Sequence, residues 1–216
     1  WASATARNGA SIEAPWLQEC GLGRHEGILC RADGSAGEGR AGRLDPYWRY
    51  VSTLYPSASG QCEDSAAKRL VWNVFGQVPR PFKLFEAAAS WSYSTQTWRQ
   101  ANAAAGNQVA CITGLTQFAE VYLLANVRPQ AASSDASAGI GVDSTTPHAD
   151  CFMTYASDAT GLGHLLIAKL AHASLGYRTY KWCELRVSAG TAEFRGSSTF
   201  GGNAYENSGL SGHVLA

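Results

Sequence analysis

Five side chains with reactive or metal-binding groups fall within the stretch "DSTTPHADC": Asp143, Ser144, His148, Asp150 and Cys151. Such residue types can form a hydrolytic triad or part of a metal site. No G-x-S-x-G turn presents the serine, and a metal ion would need further ligands that the sequence does not place. We therefore predict a turn whose side chains cap backbone amides, with no catalytic residue and no metal ligand.

Three glutamates are candidates for the paired carboxylates of a glycoside hydrolase, namely Glu120, Glu184 and Glu193. Such an enzyme needs two carboxylates across a cleft, about 5 to 10 Å apart. All three lie in or beside predicted strands, and the pattern gives no facing pair. Glu184 shares a strand face with Arg186, so we expect it on a solvated or subunit-facing surface.

Aromatic side chains are the other candidates for ligand contact. Trp91, Trp98 and Tyr177 could stack on sugar rings. Their positions within strand patterns favour packing in the core or at an interface, so no binding residue is assigned.

Two Gly-Leu-Gly stretches, at residues 21–23 and 161–163, resemble the start of a nucleotide-binding loop. Neither continues as G-x-G-x-x-G, and neither lies between a parallel strand and a helix. We predict no nucleotide cofactor, and we interpret His164 as an ordinary strand residue.

The chain has six cysteines and no C-x-x-C pair, so no zinc or redox motif is predicted. Cys111, Cys151 and Cys183 have apolar neighbours and are expected to be small buried residues in strands. Cys20 and Cys30 flank a glycine-containing loop and are the best candidates for a disulfide.

The charge balance argues against polyanionic partners. The chain has 17 basic and 17 acidic residues, and charged residues make up 16% of it. A neutral chain has no electrostatic attraction to nucleic acid or to an anionic membrane. No apolar run approaches the roughly 20 residues of a spanning helix, so no membrane insertion is predicted.

Period-two alternation dominates the chain from residue 80 onward, as is typical of β-strands. Strands are predicted in "WSYSTQTWRQA", "NQVACITGL" and "QFAEVYLLANVRP". The pattern of "GLGHLLIAKLAHAS" fits a helix or a strand, and its glycine-led entry and its setting favour a strand. One short helix is predicted over residues 65–75, where apolar residues recur at helical spacing and Gly76 provides a stop signal.

Many short strands with glycine-rich turns predict a mainly β fold, an antiparallel β-sandwich of jelly-roll type. We divide the chain into an irregular or attachment segment over residues 1–44, a connecting strand and helix over 45–79, and a sandwich domain over 80–216.

Two features near the end of the chain carry specific expectations. "YKWCELRVSAG" and "TAEFRG" look like a hairpin joined by the turn at residues 188–190. The closing "NSGLSGHVLA" is expected to form the last strand, with Gly209 and Gly212 bracketing a turn and residues 214–216 pairing with a neighbour.

Several stretches together resemble a group of bacteriophage virion proteins, variously described as tail-fibre, head-fibre or structural proteins. In order they are "CEDSAAKRLVWNVFGQVPRP", "WRQANAAAGNQVACITGL", "AGIGVDSTT", "GLGHLLIAKLAH" and "ENSGLSGHVLA". The group carries "GIGLDSTT", "GLG" and "QSGLSG" at corresponding places. The resemblance covers residues 45–216, with Val142 where the group has Leu, and residues 1–44 lie outside it.

The resemblance implies a non-enzymatic structural protein on the phage particle surface: a fibre, spike or capsid-decoration protein for assembly or host attachment. By analogy with phage fibres it implies a homotrimer that contacts other virion proteins, with a host-surface glycan as a further partner. The motifs transfer no functional residue. The alternatives are a carbohydrate-binding module and a hydrolase acting on surface polysaccharide.

Overall fold

Strand formation follows the alternation of buried and exposed side chains. In the strand Pro79–Phe85, for example, Phe82 is buried between the exposed Pro81 and Lys83. The computed structural model describes residues 22–25, 28–33, 43–49, 52–58, 61–73, 77–113, 118–129, 134–157, 163–172, 176–188, 190–200 and 203–215.

The described chain is built almost entirely of strands. The first eleven are β1 Leu22–His25, β2 Ile28–Asp33, β3 Arg43–Arg49, β4 Ser52–Leu54, β5 Pro56–Ala58, β6 Gln61–Cys62, β7 Lys68–Arg69, β8 Val71–Asn73, β9 Pro79–Phe85, β10 Ser90–Tyr93 and β11 Arg99–Gln100. The others are β12 Gln108–Thr113, β13 Phe118–Pro129, β14 Ser134–Val142, β15 Phe152–Ser157, β16 Gly163–His172, β17 Gly176–Arg186, β18 Ala192–Arg195, β19 Ser197–Phe200, β20 Asn203–Asn207 and β21 Gly209–Leu215.

Two six-stranded sheets form the body of the fold. Sheet I has the order β10-β18-β13-β21-β9, with β16 on the other edge of β13. Sheet II has the order β15-β14-β17-β12-β7, with β11 also on β17. All pairings are antiparallel except the short parallel contact of β12 with β7.

One hydrophobic core joins the two sheets. Sheet I contributes Val121 and Leu123, and sheet II contributes Ile140 and Trp182, all essentially inaccessible to solvent. This arrangement confirms the predicted mainly β fold with opposed antiparallel sheets, the layering of a β-sandwich.

The helix predicted over residues 65–75 is wrong. Bends at 65–67, β7 and β8 occupy the described part of that segment, and residues 74–76 lie outside the described residues. Leu70 and Trp72 are buried while Val71 between them is half-exposed, which is a strand period. β-Branched and aromatic residues here pack as strand residues against the core, and this packing outweighs the helical spacing.

The hairpin predicted around residues 188–190 is also wrong. β17 belongs to sheet II and β18 to sheet I, so the connection crosses from one layer to the other. Trp182 and Phe194 both carry their rings into the shared core, which places their strands opposite one another instead of side by side.

The stretch 91–101 was expected to be one strand, but it splits into β10 in sheet I and β11 in sheet II. The Tyr93 hydroxyl donates to the Thr97 carbonyl oxygen at 2.7 Å, which holds the bend between them. A 3-10 turn, Ala101–Ala103, follows β11 and is the only helical element in the described ranges.

The segment expected to be irregular, residues 1–44, contains the antiparallel strands β1 and β2, which continue into β3 as a three-stranded sheet. The candidate disulfide partner Cys20 lies outside the described residues.

The closing segment forms the expected strand, β21, but without a turn at Gly209 or Gly212. β21 is paired on both sides, with β13 and with β9, so it lies inside sheet I. A Cβ on Gly212 would meet the Glu120 carbonyl oxygen of β13, and the φ of Gly212 is +154°. Glycine is therefore required for close strand approach and not for reversing the chain.

Candidate functional site

Glu184 is the most deeply buried charged residue that the structure describes, with 0% exposure. It lies on β17, on the same face as Tyr180 and Trp182, and therefore points between the sheets. The expectation that Glu184 lies on a solvated or subunit-facing surface is wrong.

Every hydrogen bond to the Glu184 carboxylate comes from a fixed donor. Arg99, its register partner on β11, donates from Nε to Oε1 at 2.7 Å, and Arg99 Nη2 lies 2.7 Å from the same oxygen. The Asn102 backbone N–H also donates to Oε1, and Trp91 Nε1 donates to Oε2 at 2.6 Å. These four contacts account for the charge and most of the acceptor capacity of the group.

Aromatic rings surround this ion pair. The Arg99 guanidinium lies 3.8 Å from the centroid of the Tyr93 ring, and Trp91 packs edge-on against Trp182 at 5.4 Å. A cation over a ring face is attracted by the ring quadrupole. The rings keep water from the carboxylate while Arg99 reaches the surface with 31% of its side chain.

A second buried carboxylate, Glu86, lies just beyond β9. It accepts from the Ala88 backbone N–H at 2.9 Å and from Asn107 Nδ2, which also donates to the Ala101 carbonyl oxygen at 2.9 Å. The nearby side chain of Asn102, whose backbone N–H donates to Glu184, also favours the charged form of Glu86 and lowers its pKa. Asn102 therefore neighbours both carboxylates.

The two carboxylates have opposite pKa shifts. Burial raises the pKa of Glu184, and its contacts with Trp91 and Arg99 only partly offset this. Burial also raises the pKa of Glu86, but hydrogen bonds from Ala88, Asn107 and Asn102 outweigh it, so the pKa is lowered overall. Because their acceptor sites are occupied by protein donors, we interpret both groups as a structural network and not as an acid–base pair.

The other two candidate carboxylates lie on the outer face of sheet I, each with its own partner. Glu120 accepts from the Tyr122 hydroxyl and lies 3.4 Å from His213 Nδ1. Glu193 pairs with Arg195 at 2.9 Å.

Glu120 and Glu193 are also far apart. Glu193 is the register partner of Arg128, eight residues along β13 from Glu120, a distance of roughly 27 Å at about 3.4 Å per residue. The three glutamates named from the sequence therefore do not converge on one cleft at the spacing a glycosidase needs.

The 143–151 stretch forms the capped turn that the sequence predicts. The Asp143 carboxylate accepts from the Thr179 backbone N–H at 2.7 Å and pairs with Arg178 at 3.0 Å. Ser144 Oγ accepts from the Thr146 backbone N–H at 3.0 Å. Asp143 has a φ of +52°, a left-handed conformation that Asp tolerates better than most residues.

His148 and Asp150 are both exposed in this turn, with 3.6 Å between Nδ1 and the carboxylate. Cys151 is buried beside them. Within the described ranges, no group of three or more His, Cys, Asp or Glu side chains is placed to hold a metal ion.

The two glycines of "GIG" leave room for the 143–151 turn to pack against β14. Gly139 and Gly141 lie on the outer face of β14, and the turn folds back over them. A Cβ on Gly139 would lie 2.6 Å from Pro147, and a Cβ on Gly141 would lie 3.0 Å from Cys183 Sγ and closer still to the Ser144 carbonyl oxygen. The two glycines therefore serve the close packing of this turn on β14.

Cys111, Cys151 and Cys183 are buried and free, as predicted. Cys111 and Cys183 lie in strands as expected, whereas the expected strand position of Cys151 is wrong, because it lies in the turn before β15. Burial raises the pKa of Cys111 and of Cys183 to about 12 in each case. Cys62 is free and exposed.

His164 also has an ordinary partner, because its Nδ1 is hydrogen-bonded to Asn126 Oδ1 on the neighbouring strand.

The three aromatic candidates lie in different parts of the fold. Trp91 is half-buried and packs against the core, and Tyr177 stacks on Tyr55 at 4.2 Å. Trp98 lies on the outer face of sheet II and meets the ring of Phe152 at 5.9 Å.

An apolar row crosses the outer face of sheet I. Leu166, Leu124, Gly209 and Phe85 are successive register partners on β16, β13, β21 and β9. Leu166 is 64% exposed, and Leu124 and Phe85 are about 40% exposed. Three large exposed apolar side chains thus share one row across four strands, and contiguous apolar surface of this kind often marks a contact with another molecule.

Comparison with known protein-family models and with curated proteins gives no match for this chain. In the described part of the chain, no helix is long and apolar enough to cross a membrane.

Proposed function

We propose that this chain is a structural protein of a bacteriophage particle, a fibre, spike or decoration component that assembles through the outer face of sheet I. The observation that carries the assembly role is the exposed apolar row of Leu166, Leu124 and Phe85. The virion setting rests on the resemblance of residues 45–216 to phage structural proteins.

The charge state of the chain supports self-association through this row. A net charge of zero gives copies of the chain little mutual repulsion, and the row offers apolar area that pairing would remove from water. Cyclic symmetry is the common route to such assemblies, and we propose a trimer.

Sedimentation analysis of the full chain tests the assembly role. We expect an oligomer that dissociates in Leu166→Lys, because a charge would be buried at the contact. The matched control is Thr154→Lys, because Thr154 is exposed on sheet II. Ala168 is less suitable as a control position because it lies on the same strand face as Leu166. A monomeric parent, or equal dissociation in both variants, would contradict the proposal.

The virion setting has its own test. A density map of the particle from which this sequence comes should show copies of the sandwich on its surface. Purified particles that lack the chain by mass spectrometry would refute it.

A further inference from the structure

Trp98 and Phe152 meet across two intervening strands of sheet II. Trp98 immediately precedes β11, and Phe152 begins β15, with β17 and β14 between them. At about 4.8 Å per strand, their backbones are roughly 14 Å apart. Their ring centroids are nevertheless 5.9 Å apart with 68° between the planes, so the rings form a corner on the outer face.

Small residues lie beside the rings on the same face. Gly139 is the register partner of Phe152, and Cys183 is the partner of Gly139. Ser137 lies one step along the same face of β14. Pro147 of the 143–151 turn packs over Gly139, and Phe152 next to it remains 46% exposed. A large aromatic side chain is thus held at the surface by its neighbours.

Hydrogen-bonding groups border the corner. Ser137 Oγ and Thr154 Oγ1 are 2.6 Å apart on β14 and β15, and Thr154 is exposed. Asp135 lies two residues from Ser137 on the same strand face, roughly 7 Å further along. No described residue forms an ion pair or a side-chain hydrogen bond with the Asp135 carboxylate, which leaves its acceptor sites for a ligand.

We propose that Trp98, Phe152 and Asp135 form a binding site for a neutral pyranose sugar of a surface polysaccharide. The apolar face of the sugar would lie on the exposed Phe152 ring, with Trp98 as the side wall. The sugar hydroxyls would donate to Asp135 and exchange hydrogen bonds with Thr154.

The charge of Asp135 selects the class of sugar. An ionised carboxylate beside the ligand attracts hydroxyl donors and repels uronic acids and other anionic sugars. An entirely apolar partner would leave this carboxylate without a hydrogen-bond donor on binding, which opposes the docking of a protein through the same corner. The observations therefore favour a neutral glycan over a second protein.

This inference deepens the attachment part of the proposed function and rests on it. Calorimetric titration with neutral gluco-, manno- and galacto-oligosaccharides tests it, with oligogalacturonate as the anionic probe. We expect saturable binding of at least one neutral probe and none of the anionic one. Phe152→Ala should weaken binding about ten-fold or more, as expected for an exposed aromatic anchor.

Two further variants sharpen the test. Asp135→Asn should weaken the neutral ligand and reduce discrimination against oligogalacturonate. Leu54→Ala, at an apolar position that is 53% exposed and lies outside both six-stranded sheets, should leave binding unchanged. If Trp98→Ala lowers the melting temperature, Phe152→Ala carries the test alone, because Phe152 is 46% exposed and its truncation removes less buried contact.

The outcomes separate the competing explanations. Silence across all neutral probes, preference for the anionic probe, or unchanged binding in Phe152→Ala would each overturn the sugar site. A change of oligomeric state in Phe152→Ala would instead identify a contact between copies of the chain and would also overturn it. Sedimentation of Leu166→Lys reports on assembly independently, so either proposal can fail without the other.

Discussion

Arg99 and Glu184 are register partners on neighbouring strands, and their side chains form an ion pair at 2.7 Å inside the end of the sandwich. The carboxylate is fully buried, whereas the guanidinium is 31% exposed. The pair is therefore asymmetric. Loss of Arg99 leaves an unpaired charge in the interior, whereas loss of Glu184 leaves a cation that can still reach water.

This asymmetry predicts the order of stability of two variants. Arg99→Met removes the counter-charge and should lower the free energy of unfolding at pH 7 by about 3 kcal/mol. The double variant Arg99→Met with Glu184→Gln should be more stable than Arg99→Met alone, because no charge is left buried. Denaturant unfolding measures both variants against the parent.

Arg195→Met is the matched control, since its partner Glu193 is accessible to solvent, and a loss of about 1 kcal/mol or less is expected. Equal losses at the two arginines would contradict the asymmetry.

The pKa shifts predict opposite pH dependences for the two buried glutamates. The folded-state pKa of Glu184 is raised above the ordinary value of 4.5, so the folded state holds this proton more tightly than the unfolded state. Its contribution to stability therefore falls as pH rises above about 4.5. The folded-state pKa of Glu86 is lowered, so its contribution is present above about 4.5 and is lost as pH falls below it.

Unfolding free energies of the parent, Glu184→Gln and Glu86→Gln across this pH range check both signs. Each variant should remove the slope of its own carboxyl group. Slopes of the same sign for the two groups would contradict their opposite pKa shifts.

Cysteine accessibility provides a third prediction. A thiol reagent applied to the folded protein should modify Cys62, which is exposed, and should leave Cys111, Cys151 and Cys183 unmodified. Burial also raises the pKa of Cys111 and Cys183 to about 12, so few thiolates form there at neutral pH. Peptide mapping before and after denaturation measures this, and rapid native labelling of Cys111 would contradict the core assignment.

The central position of β21 makes the end of the chain sensitive to small changes. Gly212→Ala should destabilise the fold by more than 1 kcal/mol, because its Cβ would collide with the β13 backbone. Ser211→Ala, one residue earlier and half-exposed, should change stability by about 0.5 kcal/mol or less. Thermal melts of the two variants compare them directly.

Deletion of residues 210–216 should be more severe, because β9 would lose its pairing partner in sheet I. A truncated chain that melts and assembles like the full one would refute the role assigned to this strand.

Much of the strand content could be predicted from alternation. β12, β13 and β16 match the predicted stretches closely, since each carries apolar side chains on one face over six or more residues. The helix prediction was wrong because Leu70 and Trp72 also fit a strand period. Only packing against the core decides between a helix and a strand here.

The buried network could be predicted only in part. Alternation places Tyr180, Trp182 and Glu184 on one face, and this was the available signal that Glu184 points inward. Its partners Arg99 and Trp91 are about 85 and 93 residues away in sequence, and no local pattern joins them. The register of β11 against β17 is a property of the assembled sheet, so this part of the site depends on tertiary structure.

The position of β21 also constrains how the protein can be made. Residues 209–215 are translated about 80 residues after β13, the strand they must join. At roughly 5 to 20 residues per second, the ribosome takes roughly 4 to 16 s to cover that interval. During those seconds an edge of β13 and all of β9 wait without their partner, and unpaired strand edges invite association with other nascent chains. Slow synthesis or low chaperone capacity should therefore reduce the soluble yield of this protein more than its final stability would suggest.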